Sequence, residues 1–215
     1  MGVPPLRTRD PATWAALRRG GLLRRVERGS VLLHEGDDSD YVVLIEDGAL
    51  KVVALAENGN VVVLAVRRAG DMVGDFAAVE SGPRSASLVA VQRSTVVIVT
   101  AASLMGVMRA RPESAFALLR ATVARITEGD RRRVEFSSYE VGERIRRVLL
   151  ELVCLFRAEG ADDDSPVLIP LIQQDLASLA SASRESTARV LRRLRARGVV
   201  RTARGRILVV HPDRL

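Results

Sequence analysis

The chain has one cysteine, Cys154, one lysine, Lys51, and only two histidines, His34 and His211. A single cysteine excludes an intrachain disulfide. One cysteine and two histidines cannot furnish a four-ligand zinc site or a four-cysteine iron–sulfur cluster. Cys154 lies in the apolar stretch LLELVCLF and reads as a small buried hydrophobe. Aromatic residues make up 3% of the sequence and apolar residues 47%, so a packed core must come from Val, Leu, Ile and Ala. No apolar run reaches the ~18 residues needed to span a bilayer. The opening stretch VPPLRTRDPATW lacks the apolar segment of a secretory signal, so a soluble cytoplasmic chain is expected, with no membrane partner. The sequence also lacks a G-x-x-x-x-G-K-[ST] loop, a His-Glu-x-x-His pair and a nucleophile elbow. His34 in LHEGDD sits in a turn. No enzyme is expected.

With lysine nearly absent, arginine carries the positive charge, and its placement is uneven. The formal net charge is +7 over 215 residues. From Ser181 to Leu215 there are ten Arg against Glu185 and Asp213, a net of +8, so the remainder is close to neutral. A basic terminal segment on a balanced chain points to an anionic polymer as partner.

Residues 22–100 read as short strands. YVVLI (41–45), LKVVAL (50–55), VVVLAV (61–66), ASLVAV (86–91) and TVVIVT (95–100) are rich in β-branched residues. Turn signals separate them, and Asn58-Gly59 between two apolar runs is a strong hairpin signal. This spacing implies a β-sandwich or barrel. From Glu113 to Phe136 the pattern becomes helical, with Ala115, Leu119, Thr122, Ile126 and Arg133 at 3-and-4 spacing and Leu118 and Val123 beside them. A stripe of this length suits packing against a second helix. SSYE (137–140) reads as a capping box with Ser137 as N-cap. It restarts a helix whose apolar face is Ile145, Val148, Leu149, Leu152 and Phe156, and the acidic loop 158–166 ends that helix.

The last part carries the most specific pattern. A short helix, QQDLASLA, is followed by SAS, and Ser183 is suited to N-cap a second helix, RESTARVLRRLRAR, which stops at Gly198. Two helices joined by a few small residues make a helix-turn-helix. Thr187, Val190, Leu191 and Leu194 face inward in this register, with Arg184, Glu185, Ala188, Arg189 and Arg192 opposite. The alternating stretch 199–210, turning at Arg204-Gly205, adds a β-hairpin wing. Arg184 and Arg189 can fork onto guanine, and Glu185 can accept from cytosine N4. Arg201, Arg204 and Arg206 would lie near phosphates.

This order of parts resembles the CRP/FNR superfamily, the cyclic-AMP receptor type of transcription regulator, over nearly the whole chain. RGSVLLHEGDDSDYVVLIEDGALKVV (28–53) looks like the family's cyclic-nucleotide β-roll. GDMVGDFAAVESGPRSAS (70–87) looks like its phosphate-binding cassette, and SRESTARVLRRL (183–194) like its recognition helix. The resemblance implies an α+β architecture in three parts. These are a cyclic-nucleotide-binding-like β-roll (1–112), a long dimerisation helix (113–136) and a winged helix-turn-helix DNA-binding domain (137–215). It implies a homodimer on palindromic double-stranded DNA with TGTGA-like half-sites, RNA polymerase as a further partner, and rotation about Phe136–Ser138 as the switch.

The resemblance also implies site residues. In the cassette Gly74 lets backbone approach a ribose, Asp75 stands where the family has a glutamate for the 2′-OH, Arg84 pairs the cyclic phosphate and Ser85 hydrogen-bonds it, with Ala86 adjoining. The alternative for Arg84 is an ion pair with Asp75 or Glu80. Gly129 and Asp130 match the family's Thr-Ser pair at the adenine, without its hydroxyls. The candidate effectors are cyclic AMP, cyclic GMP or cyclic di-GMP, with a vestigial pocket as the alternative. On the DNA side Arg184, Glu185 and Arg189 match the recognition residues, joined by Ser183, Arg192, Arg204 and a phosphate contact from Gln174.

Overall fold

The computed structural model describes residues 4–75 and 82–215. The chain divides into two compact units, one ending at Thr127 and the other Glu128–Leu215.

The first unit holds two four-stranded antiparallel sheets. Its strands are β1 (Leu22–Val26), β2 (Val31–Leu33), β3 (Tyr41–Asp47), β4 (Ala49–Leu55), β5 (Val61–Arg68), β6 (Met72–Val73), β7 (Ser87–Ala90) and β8 (Ser94–Thr100). One sheet runs β1-β8-β3-β6 and the other β2-β7-β4-β5. Strand β3 is buried on both faces, which explains its unbroken apolar sequence. Because successive side chains alternate, Val43 and Ile45 enter one core with Leu33, Leu50 and Leu88. Val42 and Leu44 enter a second core under the helices with Trp14, Leu17 and Leu104. The expected Asn58-Gly59 hairpin joins β4 to β5, with Leu55 opposite Val61.

Two short helices precede β1: α1 (Leu6–Arg9) and α2 (Pro11–Arg19). Asp10 N-caps α2 through the Thr13 N–H at 3.0 Å, with Pro11 at the first helical position. Helix α3 (Ala101–Ala110) follows β8, capped by Thr100. The long helix α4 spans Pro112–Ser138. Leu118 is 8% exposed and packs into the second core, while the Ser114 and Thr13 hydroxyls bond at 2.7 Å. Phe116, Leu119, Val123 and Ile126 are exposed. Their spacing of three, four and three makes them the outward seam, so the expected stripe is shifted: Leu118 and Thr122 belong to the inward face.

The second unit contains α5 (Val141–Phe156), β9 (Val167–Ile169), α6 (Gln173–Leu179), α7 (Arg184–Ala196), β10 (Val200–Ala203) and β11 (Arg206–Val209). The strands form one antiparallel sheet in the order β10-β11-β9. The core joins Ile145, Leu149 and Leu152 of α5 to Ile169, Leu191 and Ile207. The expected capping box at 137–140 does not form. Ser137 still belongs to α4, where its hydroxyl donates to the Arg133 carbonyl at 3.2 Å, and Glu140 takes the cap position before α5 without a side-chain bond. Cys154 is exposed on α5 and not buried, because Leu152 and Val153 take the inward positions. No described helix is long and apolar enough to cross a membrane.

The half-buried Asp71 carboxyl is expected to give the β-roll a pH-dependent stability. The Asp71 carboxylate accepts from the Arg68 N–H at 2.9 Å, yet burial pushes its pKa above the ordinary carboxylate value. A raised carboxyl favours folding fully below its unfolded pKa of ~3.9, and this contribution is lost as pH rises through the folded value. Asp71→Asn cannot lose a proton. Its stability relative to wild type, followed by urea unfolding from pH 4 to 7, is expected to improve as pH rises. A difference that stays flat would rule out the burial account.

Candidate functional site

The cassette residues meet at the end of β6. Gly74 has φ +84°, a region glycine enters without penalty. Its carbonyl accepts from Arg84 Nη1 at 2.7 Å. A Cβ at position 74 would lie 3.0 Å from that nitrogen and 3.2 Å from Leu33 Cδ1, so glycine is what allows this approach. Arg84 Nε donates to Ser39 Oγ at 2.8 Å, and Nη2 to the Tyr41 carbonyl at 2.5 Å. The guanidinium also lies 5.1 Å from the centroid of the Tyr41 ring. Arg84 is only 3% exposed, and burial lowers its pKa. Of the two ion-pair partners that the alternative reading offered, Asp75 is not paired with it, and Glu80 lies outside the described residues.

Asp75 is buried and taken by another partner. Arg125 of α4 grips it with both ends of its guanidinium: Nη1 donates to Oδ1 at 3.1 Å, and Nη2 donates to Oδ2. Arg125 Nη2 also donates to Thr122 Oγ1 at 3.2 Å. Two-pronged pairing of this kind fixes geometry as well as charge. Sequence reasoning missed Arg125, although a signal existed: Leu118, Thr122 and Arg125 share the inward face of α4, where an arginine must find a partner. Ser39 and Tyr41 carried no such signal.

Ser85 is exposed beside Arg84, and Ala86 is half-buried at the start of β7. Gly129 and Asp130 lie exposed on α4. A Cβ at Gly129 would meet no atom within 4 Å, and Asp130 pairs with Arg133 at 3.3 Å.

In the second unit a helix-turn-helix runs from α6 to α7. Asp175, in the first turn of α6, is buried and accepts from the Ile172 N–H at 3.2 Å, half of a capping box. The turn passes through Ser181 at φ +48°, whose carbonyl accepts from Arg144 Nη2 at 3.1 Å. Ser183 caps α7, accepting from the Ser186 N–H at 3.1 Å. Thr187, Leu191 and Leu194 are buried under α7. Arg184, Glu185, Arg189 and Arg192 are exposed on its other side, and Gln174 is half-buried in the first turn of α6. Arg189 pairs with Glu185 at 3.0 Å, an exposed i,i+4 contact worth at most ~1 kcal/mol. The hairpin β10–β11 turns at Arg204-Gly205 as expected, with Arg201, Arg204 and Arg206 exposed. Arg195 Nη1 donates to Thr202 Oγ1 at 2.7 Å, a tie between α7 and the wing. The third strand of that sheet, β9, was not legible beforehand.

A β-roll carrying a buried arginine and a winged helix-turn-helix together define a DNA-binding regulator with a ligand-sensing domain. Comparison with known proteins gives the family. Residues 23–111 match the cyclic nucleotide-binding domain and residues 143–215 the Crp-like helix-turn-helix domain. The chain is similar to the CRP-like cAMP-activated global transcriptional regulator of Mycobacterium tuberculosis, 26% identical over 208 residues that cover 96% of this chain and 92% of that protein. It is also similar to the cyclic AMP receptor protein of Thermus thermophilus, 29% identical over 189 residues, with 86% and 82% covered. The solved structure of the c-di-GMP responsive global regulator CLP of Xanthomonas campestris shares the fold, with a TM-score of 0.75 at 20% identity over 93% of this chain and 99% of that one. The chain belongs to the CRP/FNR family of transcription regulators. Members of the family bind DNA and act as dimers, and these relatives are regulators rather than enzymes.

Gly74→Ala tests the close approach of Arg84 to the backbone at Gly74. The variant must carry a left-handed conformation costing ~1–2 kcal/mol and must also displace the Arg84 guanidinium. A loss of about 1–3 kcal/mol in urea unfolding is expected. An unchanged midpoint would contradict the close approach.

Proposed function

We propose that this chain is a cytoplasmic homodimeric regulator that reads a palindromic double-stranded DNA site with α7, is set by a phosphate-bearing effector at Arg84, and has no catalytic role. The observation that carries the DNA reading is the exposed row Arg184, Glu185, Arg189 and Arg192 on a helix seated by Thr187, Leu191 and Leu194. Such a row at the N-terminal turns of a recognition helix suits the major groove. Arg184 and Arg189 take guanine edges, Glu185 takes cytosine N4, and Gln174 and Ser183 approach the backbone. Arg204 adds a phosphate contact from the wing. The dimer forms through the outward seam of α4: Phe116, Leu119, Val123 and Ile126. Two recognition helices then meet half-sites about 34 Å apart. RNA polymerase is the further partner of a regulator of this type.

The effector is a cyclic nucleotide or dinucleotide: cyclic AMP, cyclic GMP or cyclic di-GMP. Support comes from Arg84, a buried cation that hydrogen-bonds only neutral acceptors among the described residues, and from the names of the relatives, which are cAMP-activated or c-di-GMP responsive. Ser85 would hydrogen-bond the same phosphate, with Gly74, Asp75 and Ala86 lining it. Gly129 and Asp130 offer no hydroxyl to a base. A second reading has its own support: with Asp75 gripped by Arg125 and Arg84 turned inward, the pocket is closed, and the regulator binds DNA without an effector.

Fluorescence anisotropy with a TGTGA palindrome tests the interface. Arg184→Ala is expected to lose about 1–3 kcal/mol on its cognate base and to tolerate substitution there. Arg204→Ala is expected to weaken all sequences equally and to lower the salt slope by about one unit. Equal loss on every sequence for both variants would remove α7 from the groove. A thermal-shift series with the three nucleotides, with and without DNA, separates the two readings. An effector at 100 times its Kd adds about 2.7 kcal/mol to stability. Intact DNA binding without any shift would select the effector-independent regulator.

A further inference from the structure

Arg84 presents a chemical imbalance that points to one more residue. A guanidinium is always charged, and burying a charge is costly unless an anion or a full set of hydrogen bonds compensates it. Arg84 is 3% exposed, and its acceptors among the described residues are all neutral: Ser39 Oγ and the carbonyls of Gly74 and Tyr41. Asp37 and Asp40 act on it only at longer range. The two carbonyls belong to backbone fixed beside β6 and in β3. Ser39 Oγ is the one acceptor that can turn away, and Ser39 is half-buried, so water can reach it. Arg84 is held against the same loop from the other side. Its N–H donates to the Asp37 carbonyl at 3.0 Å, and its carbonyl accepts from the Gly36 N–H at 2.9 Å. The loop and the arginine therefore stay together while the side-chain contact changes.

We propose that Ser39 sets the affinity of the Arg84 site by standing in for an oxygen of the anionic ligand. This inference rests on the reading that Arg84 receives a phosphate-bearing effector. In the empty pocket Ser39 Oγ accepts from Arg84 Nε. An anionic oxygen displaces it, because in a buried site the attraction between opposite charges adds to the hydrogen bond, which a neutral hydroxyl cannot match. The released hydroxyl rotates to water. An uncharged ligand gains nothing from the exchange, so the stand-in selects for anions as well as moderating affinity.

Isothermal titration of the full chain with cyclic AMP, cyclic GMP and cyclic di-GMP tests this. Ser39→Ala leaves the Arg84 Nε–H without an acceptor only in the empty pocket. The variant is expected to bind about tenfold more tightly whichever nucleotide the wild type binds. It is also expected to melt lower than wild type when empty and to match it at saturation. Ser39→Thr keeps the hydroxyl and is expected to behave as wild type. Unchanged or weaker binding in Ser39→Ala overturns the proposal, as does equal tightening in Ser39→Thr, which would assign the effect to space instead of the acceptor. Binding of a nucleotide equally by wild type and Ser39→Ala would sink the role of Ser39 alone. Absence of binding in both would sink the effector reading, and the role of Ser39 with it.

Discussion

The rotation of α4 about its own axis is the constraint on which the first unit depends. Leu118 sets it. Its side chain is seated in the core with Trp14, Leu17 and Leu104, and the Ser114–Thr13 hydroxyl bond one turn earlier holds the same face. Once Leu118 is inward, the helical period carries Thr122 and Arg125 inward as well, and Arg125 meets Asp75. The same period carries Phe116, Leu119, Val123 and Ile126 outward. Burying each of these would yield ~1.5–3 kcal/mol, so leaving four of them in water is costly unless another surface covers them. One packing contact thus aims both the charge at the pocket and the apolar seam.

Charge placement follows a similar economy in the second unit. Arginines that serve the framework are paired or donate to carbonyls. Arg131 and Arg132 reach Glu151 of α5, and Arg144 donates to the carbonyls of Phe136 and Ser181. The arginines of the α7 outer row and the wing tip are exposed, and Arg189 has only the weak Glu185 contact to give up. Little must therefore be broken before these side chains meet an anionic surface. This outward set supplies much of the net +8 of the last 35 residues, which is not a general property of the molecule.

How legible these features were depended on whether their signal is local. The strands of the β-roll, the Asn58-Gly59 hairpin, the Ser183 cap and the wing are written in periods of two and 3.6 and in turn residues, and all appear as expected. Elements without such a mark were missed. β9 has only three residues, and α1 and α2 follow a proline-rich start. SSYE had the residues of a capping box, but α4 runs on through its two serines and Glu140 becomes the cap residue of α5. The cassette residues Gly74 and Arg84 do meet, but the sequence was silent about their other partners. For Arg84 the sequence offered a phosphate or, as the alternative, an ion pair with Asp75 or Glu80. In space Asp75 takes Arg125, 50 residues away, and Arg84 takes Ser39, 45 residues away, and no local rule encodes either choice.

These two partnerships give the pocket opposite electrostatic ends. Asp75 is neutralised by a two-pronged arginine, whereas Arg84 keeps a charge that only dipoles soften. On the proposed reading, an incoming anion would gain nothing at Asp75 and would find its charge partner at Arg84. Were Arg84 paired with a carboxylate, the ligand would have to break a buried ion pair, a step that can cost several kcal/mol. Held by two carbonyls and a hydroxyl, it would exchange only the one hydrogen bond to Ser39, worth about 1.5–3 kcal/mol net for a charged donor. Neutral acceptors are thus the arrangement that keeps a buried cation both folded and available.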